Sequence, residues 1–210
     1  MKIYAISGLG ADKRAYGKLS LNKQLIHLDW VKNLKNESIE KYSFRLSKKI
    51  DSSEPFIIIG LSFGGLIAIE ISKILKPKLT ILISSVANTQ EIPIHYRLLG
   101  KFKLVKLIPE KIFNKPNFFL HYLFRTKYRS LLSTIIKDTD VQFAKWAVSE
   151  LLNWQNTTII ENLIKINGDK DRLIPVNKND IVIKNGSHFM ILDKAKEVST
   201  ILNKALLNIK

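Results

Sequence analysis

The sequence has no cysteine among its 210 residues. That excludes disulfides, thiolate metal sites and a cysteine nucleophile, and it fits a reducing compartment. No run of about 18 apolar residues occurs, the length a membrane-crossing helix needs. Residues 1–8 hold an apolar run too short for the core of a secretion signal, so a cytoplasmic protein is expected. The dinucleotide fingerprint G-x-G-x-x-G is missing too, because Gly8 and Gly10 are followed by Lys13 where a third glycine would stand. The four histidines are scattered without i, i+4 pairs, so neither a metal site nor a cofactor is expected. No internal repeat or low-complexity linker is present.

Acidic residues are scarce: 18 Asp and Glu face 34 Lys and Arg, a formal net charge of +16. Such an excess attracts polyanions. The chain is nevertheless rich in Lys, Ile and Asn throughout, a compositional bias that accounts for the charge without a partner. Zinc-finger spacing, paired aromatic RNA-binding strands and a basic helix with heptads are all absent, so no nucleic-acid partner is expected. A hydrophobic share of 46% with 25% charged residues is that of an ordinary globular protein, long enough for one well-buried core.

What is present is an alternation of apolar runs and amphipathic stretches. Residues 2–7 read as a buried strand, followed by the turn Gly8-Leu9-Gly10-Ala11-Asp12, with Asp12 capping a helix over 13–19. Residues 25–30 read as a second strand, and 39–50 as an amphipathic helix with Tyr42, Leu46 and Ile50 on one face. Strands at 56–59 and 79–84 enclose a helix that ends near Lys76. Strands alternating with helices predict a parallel sheet with right-handed crossovers. From about 88 to 155 only helical periodicity is readable, over 94–108, 112–136 (interrupted by Pro116) and 141–154. Strands at 159–167 and 180–184 and a closing helix at 189–209 complete the chain. The expectation is a single α/β domain, 1–210, with a mostly parallel sheet of about six strands and a helical cap inserted at 88–155.

Between Arg97 and Arg129 that insertion carries nine basic residues, Lys103 among them, against one acid, Glu110. The first reading is a solvated helical face; the second is weak contact with anionic substrates or a membrane surface. In the last helix of the insertion, Ala144, Ala147, Val148, Leu151 and Leu152 make one stripe while Phe143, Trp146 and Trp154 project elsewhere, so one side is expected to face the sheet and another a cleft.

Gly60-Leu61-Ser62-Phe63-Gly64-Gly65 stands between the third strand and its helix. It is a G-x-S-x-G nucleophile elbow, in which a serine sits at the tip of a strained turn and glycines two residues either way leave room for it. The pattern alone arises by chance; the strand before it and the helix after it give it weight. Acyl transfer by a serine also requires a base, an acid to orient the base, and donors for the oxyanion. In an open α/β sheet the carboxyl ends of the strands share one crevice. Asp171 follows the fifth strand in Gly168-Asp169-Lys170-Asp171-Arg172, and His188 follows the sixth in Asn185-Gly186-Ser187-His188. Asp169 is the alternative acid, with spacing favouring Asp171. Of the other histidines, His27 lies in a predicted strand, and His95 and His121 lie in the insertion.

On these motifs, together with Ser7-Gly8-Leu9-Gly10 and Leu173-Ile174-Pro175, the chain resembles the α/β-hydrolase superfamily over nearly its whole length. It is most similar to small bacterial members in which a Gly-Leu-Gly-Ala-Asp turn is followed by Asp-Trp, here Asp29-Trp30, and Glu-Ser, here Glu37-Ser38. The resemblance implies Ser62 as nucleophile, His188 as general base, Asp171 as acid, and the amides of Leu9 and Phe63 as oxyanion hole. The chain departs from the family in two places. Ser7-Gly8 stands where His-Gly is frequent, and the stretch from 171 to 188 is short for the usual helix between strands five and six, so a trimmed sheet edge is expected. The expected function is a serine hydrolase, a carboxylesterase or thioesterase, cleaving a small-molecule acyl substrate through an acyl-enzyme intermediate. The alternative is a non-catalytic protein of the same fold that binds a small ligand. The aromatic insertion points to an apolar acyl or aromatic group.

Overall fold

The computed structural model describes residues 1–102, 104–207 and 209. Lys103, counted among the basic residues of the insertion, and position 208 of the expected closing helix lie outside the described residues. The strands are β1 (Lys2–Ile6), β2 (Ile26–His27), β3 (Phe56–Leu61), β4 (Leu79–Ile83), β5 (Leu163–Gly168) and β6 (Ile181–Ile183). They form one sheet in the order β2-β1-β3-β4-β5-β6, every neighbouring pair parallel. The helices are α1 (Ile39–Ser47), α2 (Phe63–Leu75), α3 (Ile94–Lys101), α4 (Phe118–Phe124), α5 (Arg129–Asp138), α6 (Val141–Asn153), α7 (Met190–Asp193) and α8 (Ala195–Leu207).

All six residues of β3 are buried because helices cover both faces of the sheet. Its side chains alternate between two apolar layers, as the period of two along a strand requires. Ile57, Ile59 and Leu61 join the layer that holds Leu132 and Ile135 of α5 and Val198 and Leu202 of α8. Phe56 and Ile58 join the layer that holds Tyr42 and Leu46 of α1 and Leu66 and Ile67 of α2. The one carboxylate within α2, Glu70, is buried with partners: its Oε1 accepts from Trp154 Nε1 (2.8 Å) and Lys73 Nζ (2.6 Å). That bond ties α2 to the end of α6 and offsets the desolvation of the charge.

Several elements are shorter than their apolar runs predict. β2 is an edge strand that pairs only at Tyr4↔Ile26 and Ala5↔His27 before leaving the sheet. β5 starts at Leu163 rather than 159, because Ile159 stands 87% exposed in water. Residues 13–19 hold only one 3-10 turn, Lys13–Tyr16, capped by Asp12, whose carboxylate accepts from Arg14 N. The periodic stretch 112–136 divides into α4 and α5, with Arg125 in the left-handed conformation (φ 46°) ending α4. The closing helix breaks at Lys194 into α7 and α8. Between β5 and β6 the chain makes only turns, so the sheet edge is trimmed there. No described helix is long and apolar enough to cross a membrane.

From β1 the chain steps outward to β2 and then returns to β3 on the opposite side of β1. A reversal of this kind opens a crevice between the carboxyl ends of the two central strands, here β1 and β3. Gly8 and Ser62 flank it.

Candidate active site

β3 passes into α2 through Ser62, whose backbone sits at φ 51°, ψ −122°. L-residues adopt such a conformation only where neighbouring structure holds them in it, at a cost of about 1–3 kcal/mol. Three hydrogen bonds do so. Ser62 N donates to Ile83 O on β4 (2.9 Å), while Ser62 O accepts from Gly65 N (2.8 Å) and from Ser85 Oγ (2.7 Å). The flanking glycines are required by contact: a Cβ on Gly60 would lie 2.5 Å from Gly65 Cα, and one on Gly64 would collide with Ser7 O. The hydroxyl is left half-buried at the mouth of the crevice.

Ser62 Oγ lies 2.9 Å from His188 Nε2, and His188 Nδ1 lies 2.8 Å from Asp171 Oδ2. A carboxylate accepts and does not donate, so Nδ1 carries the imidazole proton and Nε2 offers its lone pair to the serine. The other carboxylate oxygen, Asp171 Oδ1, accepts from Leu173 N (2.8 Å) and Ile174 N (3.0 Å), which fixes the fully buried side chain. The turns that carry the two residues are joined by Lys170 N donating to Gly186 O (2.9 Å). Phe124 of α4 packs edge-on against the His188 ring at 5.1 Å. Of the two candidate acids, Asp171 is the one in contact with the histidine; Asp169 is exposed.

The loop after β1 packs directly on the elbow, since a Cβ on Gly8 would lie 3.4 Å from Ser62 Cβ. It is held from two sides. Trp30 Nε1 donates to Ala11 O (2.9 Å) and Gly8 O (3.3 Å), and Thr139 Oγ1 donates to Gly10 O (3.2 Å). The Phe63 amide opens α2, so it has no acceptor one turn back within the helix and lies at the helix's positive end. Leu9 and Phe63 thus both belong to segments adjoining Ser62, one by packing and one by sequence. A cavity of about 340 Å³ opens behind the loop, among Ser7, Gly10, Trp30, Thr139 and Phe143. Neither Ser62 nor His188 lines it.

No family model and no curated protein matches the sequence. Solved structures do match. A thermophilic esterase from Thermogutta terrifontis superposes with a TM-score of 0.72 at 12% identity, over 100% of this chain and 90% of the other. The meta-cleavage product hydrolase of Pseudomonas fluorescens gives 0.68 at 14% identity, over 100% and 92%. A lipase-esterase related protein from Clostridium acetobutylicum gives 0.67 at 15% identity, over 97% and 93%. The chain has the α/β-hydrolase fold.

Within the α/β-hydrolase frame, five residues that sequence reasoning passed over support the elbow. Asn167 at the end of β5 bonds both backbone groups of Ser85, whose hydroxyl in turn holds Ser62 O. Asn167 Nδ2 also donates to Asp180 Oδ2 (2.7 Å). Lys165 Nζ contacts Glu91 Oε1 (2.5 Å) and lies 2.9 Å from Asp180 Oδ1, an ionic contact not aligned as a hydrogen bond. A signal for this network was present: Lys165 and Asn167 are polar residues two apart, hence on one face of a strand that reads as buried.

Proposed function

We propose that the protein is a serine hydrolase that cleaves a carboxylic ester or thioester through an acyl-enzyme intermediate, in one α/β domain with residues 88–155 as its helical cap. The observation that carries this reading is the hydrogen-bonded succession Ser62 Oγ, His188 Nε2, His188 Nδ1, Asp171 Oδ2, at 2.9 and 2.8 Å, ending on a serine held at φ 51°. A small-ligand binding site has no use for that combination.

In the reaction, Ser62 Oγ attacks the acyl carbon while its proton passes to His188 Nε2. The imidazolium so formed is stabilised by Asp171 and kept in orientation by the bond to Nδ1. Negative charge collects on the acyl oxygen, where the Leu9 and Phe63 amides donate to it; such donors are worth about 3 kcal/mol each in related chemistry. Collapse of the tetrahedral species breaks the bond to the alcohol or thiol, which leaves with the proton from His188. Water, deprotonated by the same histidine, then attacks the Ser62 ester and releases the acid. The substrate is a small acyl compound, and the neighbouring structures named as esterases and hydrolases support this class. The test is a panel of esters and thioesters of graded acyl length, run on the wild type and on Ser62→Ala. Turnover that is lost in the variant is expected; turnover that survives it, or none on any member, overturns the reading.

A further inference from the structure

α4 has two faces of opposite character. Its inner residues Leu120 and Phe124 pack on the core, Phe124 directly against His188. Its outer residues Phe118, Phe119 and Tyr122 stand in water, exposed by 86%, 64% and 49%. Spacings of three and four residues put Tyr122 on the same helix face as both phenylalanines. The face is fixed in place: the Arg172 guanidinium stacks 3.6 Å from the Tyr122 ring centre, and Arg172 Nη1 donates to Tyr122 O (2.8 Å). Arg172 follows Asp171, so the helix is fastened to the turn that bears the candidate acid.

The surrounding segment repeats the pattern. Among the described residues, nine of the nineteen exposed large apolar side chains fall between 94 and 122. That is too concentrated for the single scattered hydrophobes of an ordinary surface. Exposed cations flank α4 on both sides, Lys111 and Lys115 before it and Arg125 and Lys127 after it. The one acid between Arg97 and Arg129 is Glu110.

We propose that the outer face of α4, with the basic residues around it, docks on an anionic phospholipid surface. Aromatic side chains ringed by lysine and arginine match such a surface in both respects: the rings enter the boundary between headgroups and acyl chains, and the cations meet the lipid phosphates. A second copy of the chain is the poorer occupant, because the two faces would oppose cation to cation. Nucleic acid accounts for the charge and leaves the concentration of exposed aliphatic side chains without a purpose. Docked in this way, α4 holds the membrane surface on one side and His188 on the other. The surface is then one helix away from His188, and binding itself does not depend on hydrolysis.

The test is co-sedimentation of the full chain with vesicles, without substrate, so that its outcome is independent of the catalytic reading. The protein is expected to sediment with vesicles of phosphatidylcholine and phosphatidylglycerol in about equal parts, to stay in solution with phosphatidylcholine alone, and to be released as salt rises. Phe118→Ser with Phe119→Ser is expected to weaken partitioning about tenfold or more. Lys115→Gln is expected to weaken it about fivefold. Both sets lie outside the core, and an unchanged melting temperature establishes that the variants are folded. Absence of binding to the anionic vesicles, or binding unaffected by the double phenylalanine variant, overturns the proposal. So does a dimer in light scattering that the same variant dissociates, or tighter binding to a single-stranded oligonucleotide than to vesicles.

Discussion

Asn167 holds Ser85 by both ends of its amide: Oδ1 accepts from Ser85 N at 3.0 Å, and Nδ2 donates to Ser85 O at 3.2 Å. Ser85 Oγ then donates to the carbonyl of Ser62 at 2.7 Å. The conformation of the turn at Ser62 therefore depends on a side chain from β5, more than a hundred residues further along the chain. Asn167→Ala leaves the buried N–H and C=O of Ser85 without partners. The expected loss of stability is about 2–3 kcal/mol, read by chemical denaturation. Because the change loosens the backbone that carries Ser62, kcat is expected to fall with KM nearly unchanged; a rise in KM alone would contradict the assignment.

The two aspartates of the Gly168 turn separate sharply by environment, Asp171 buried against His188 and Asp169 in water. Asp171→Asn removes the acceptor that fixes the imidazole tautomer and is expected to lower kcat by about 10⁴. Asp169→Asn is expected to leave activity near the wild type and to change stability by less than about 0.5 kcal/mol. Steady-state kinetics of the pair on one ester distinguishes them.

Acid sensitivity is expected from Glu37. Its carboxylate accepts from Arg45 Nε (2.7 Å), Arg45 Nη2 (2.9 Å) and Leu34 N (2.8 Å). The bond to Arg45 holds its carboxyl below the ordinary value of 4.5, against the opposing effect of burial. A carboxyl depressed in the folded state contributes stability that is present above its unfolded pKa and lost as pH falls through the folded value. Glu37→Gln is therefore expected to lower the urea midpoint at neutral pH and to flatten its decline between about pH 5 and pH 3.

Glu150 has the opposite sign. Burial raises its carboxyl above 4.5, an effect that the Ile39 amide opposes and nearby Glu40 adds to. The folded state then binds the proton more tightly than the unfolded chain, so ionisation weakens folding as pH rises through this range. A glutamine keeps an oxygen for the Ile39 N–H (2.9 Å) and carries no charge. Glu150→Gln is expected to raise the melting temperature by about one to three degrees at pH 7, with the gain shrinking toward acid pH.

The elbow was legible because its requirements are local. Gly60 and Gly64 answer contacts made within a few residues of Ser62 or by the strand beside it, and the apolar run before them is a strand by its own composition. The proximity of Asp171 and His188 could be anticipated from their positions at the ends of late strands. Spacing favoured Asp171 over Asp169 and left Asp169 open, because contact with His188 depends on which side chain turns inward. The Asn167–Ser85 clasp and the Lys165–Asp180 contact were not read, since they join separate strands and turns and leave only a polar pair on one strand face as a trace. Strand ends were the least legible. Ile159 is as apolar as any residue of β5 yet lies outside it, because the sheet offers it no neighbour to pack against.

The central claim is that Ser62 is a nucleophile activated by His188. Treating the protein with a fluorophosphonate probe and locating the adduct by peptide mass spectrometry tests it most directly. One adduct on the peptide containing Ser62 is expected, absent in Ser62→Ala and formed at least about a hundredfold more slowly in His188→Ala. A folded wild-type protein that stays unlabelled, or labelling that persists in Ser62→Ala, would contradict it.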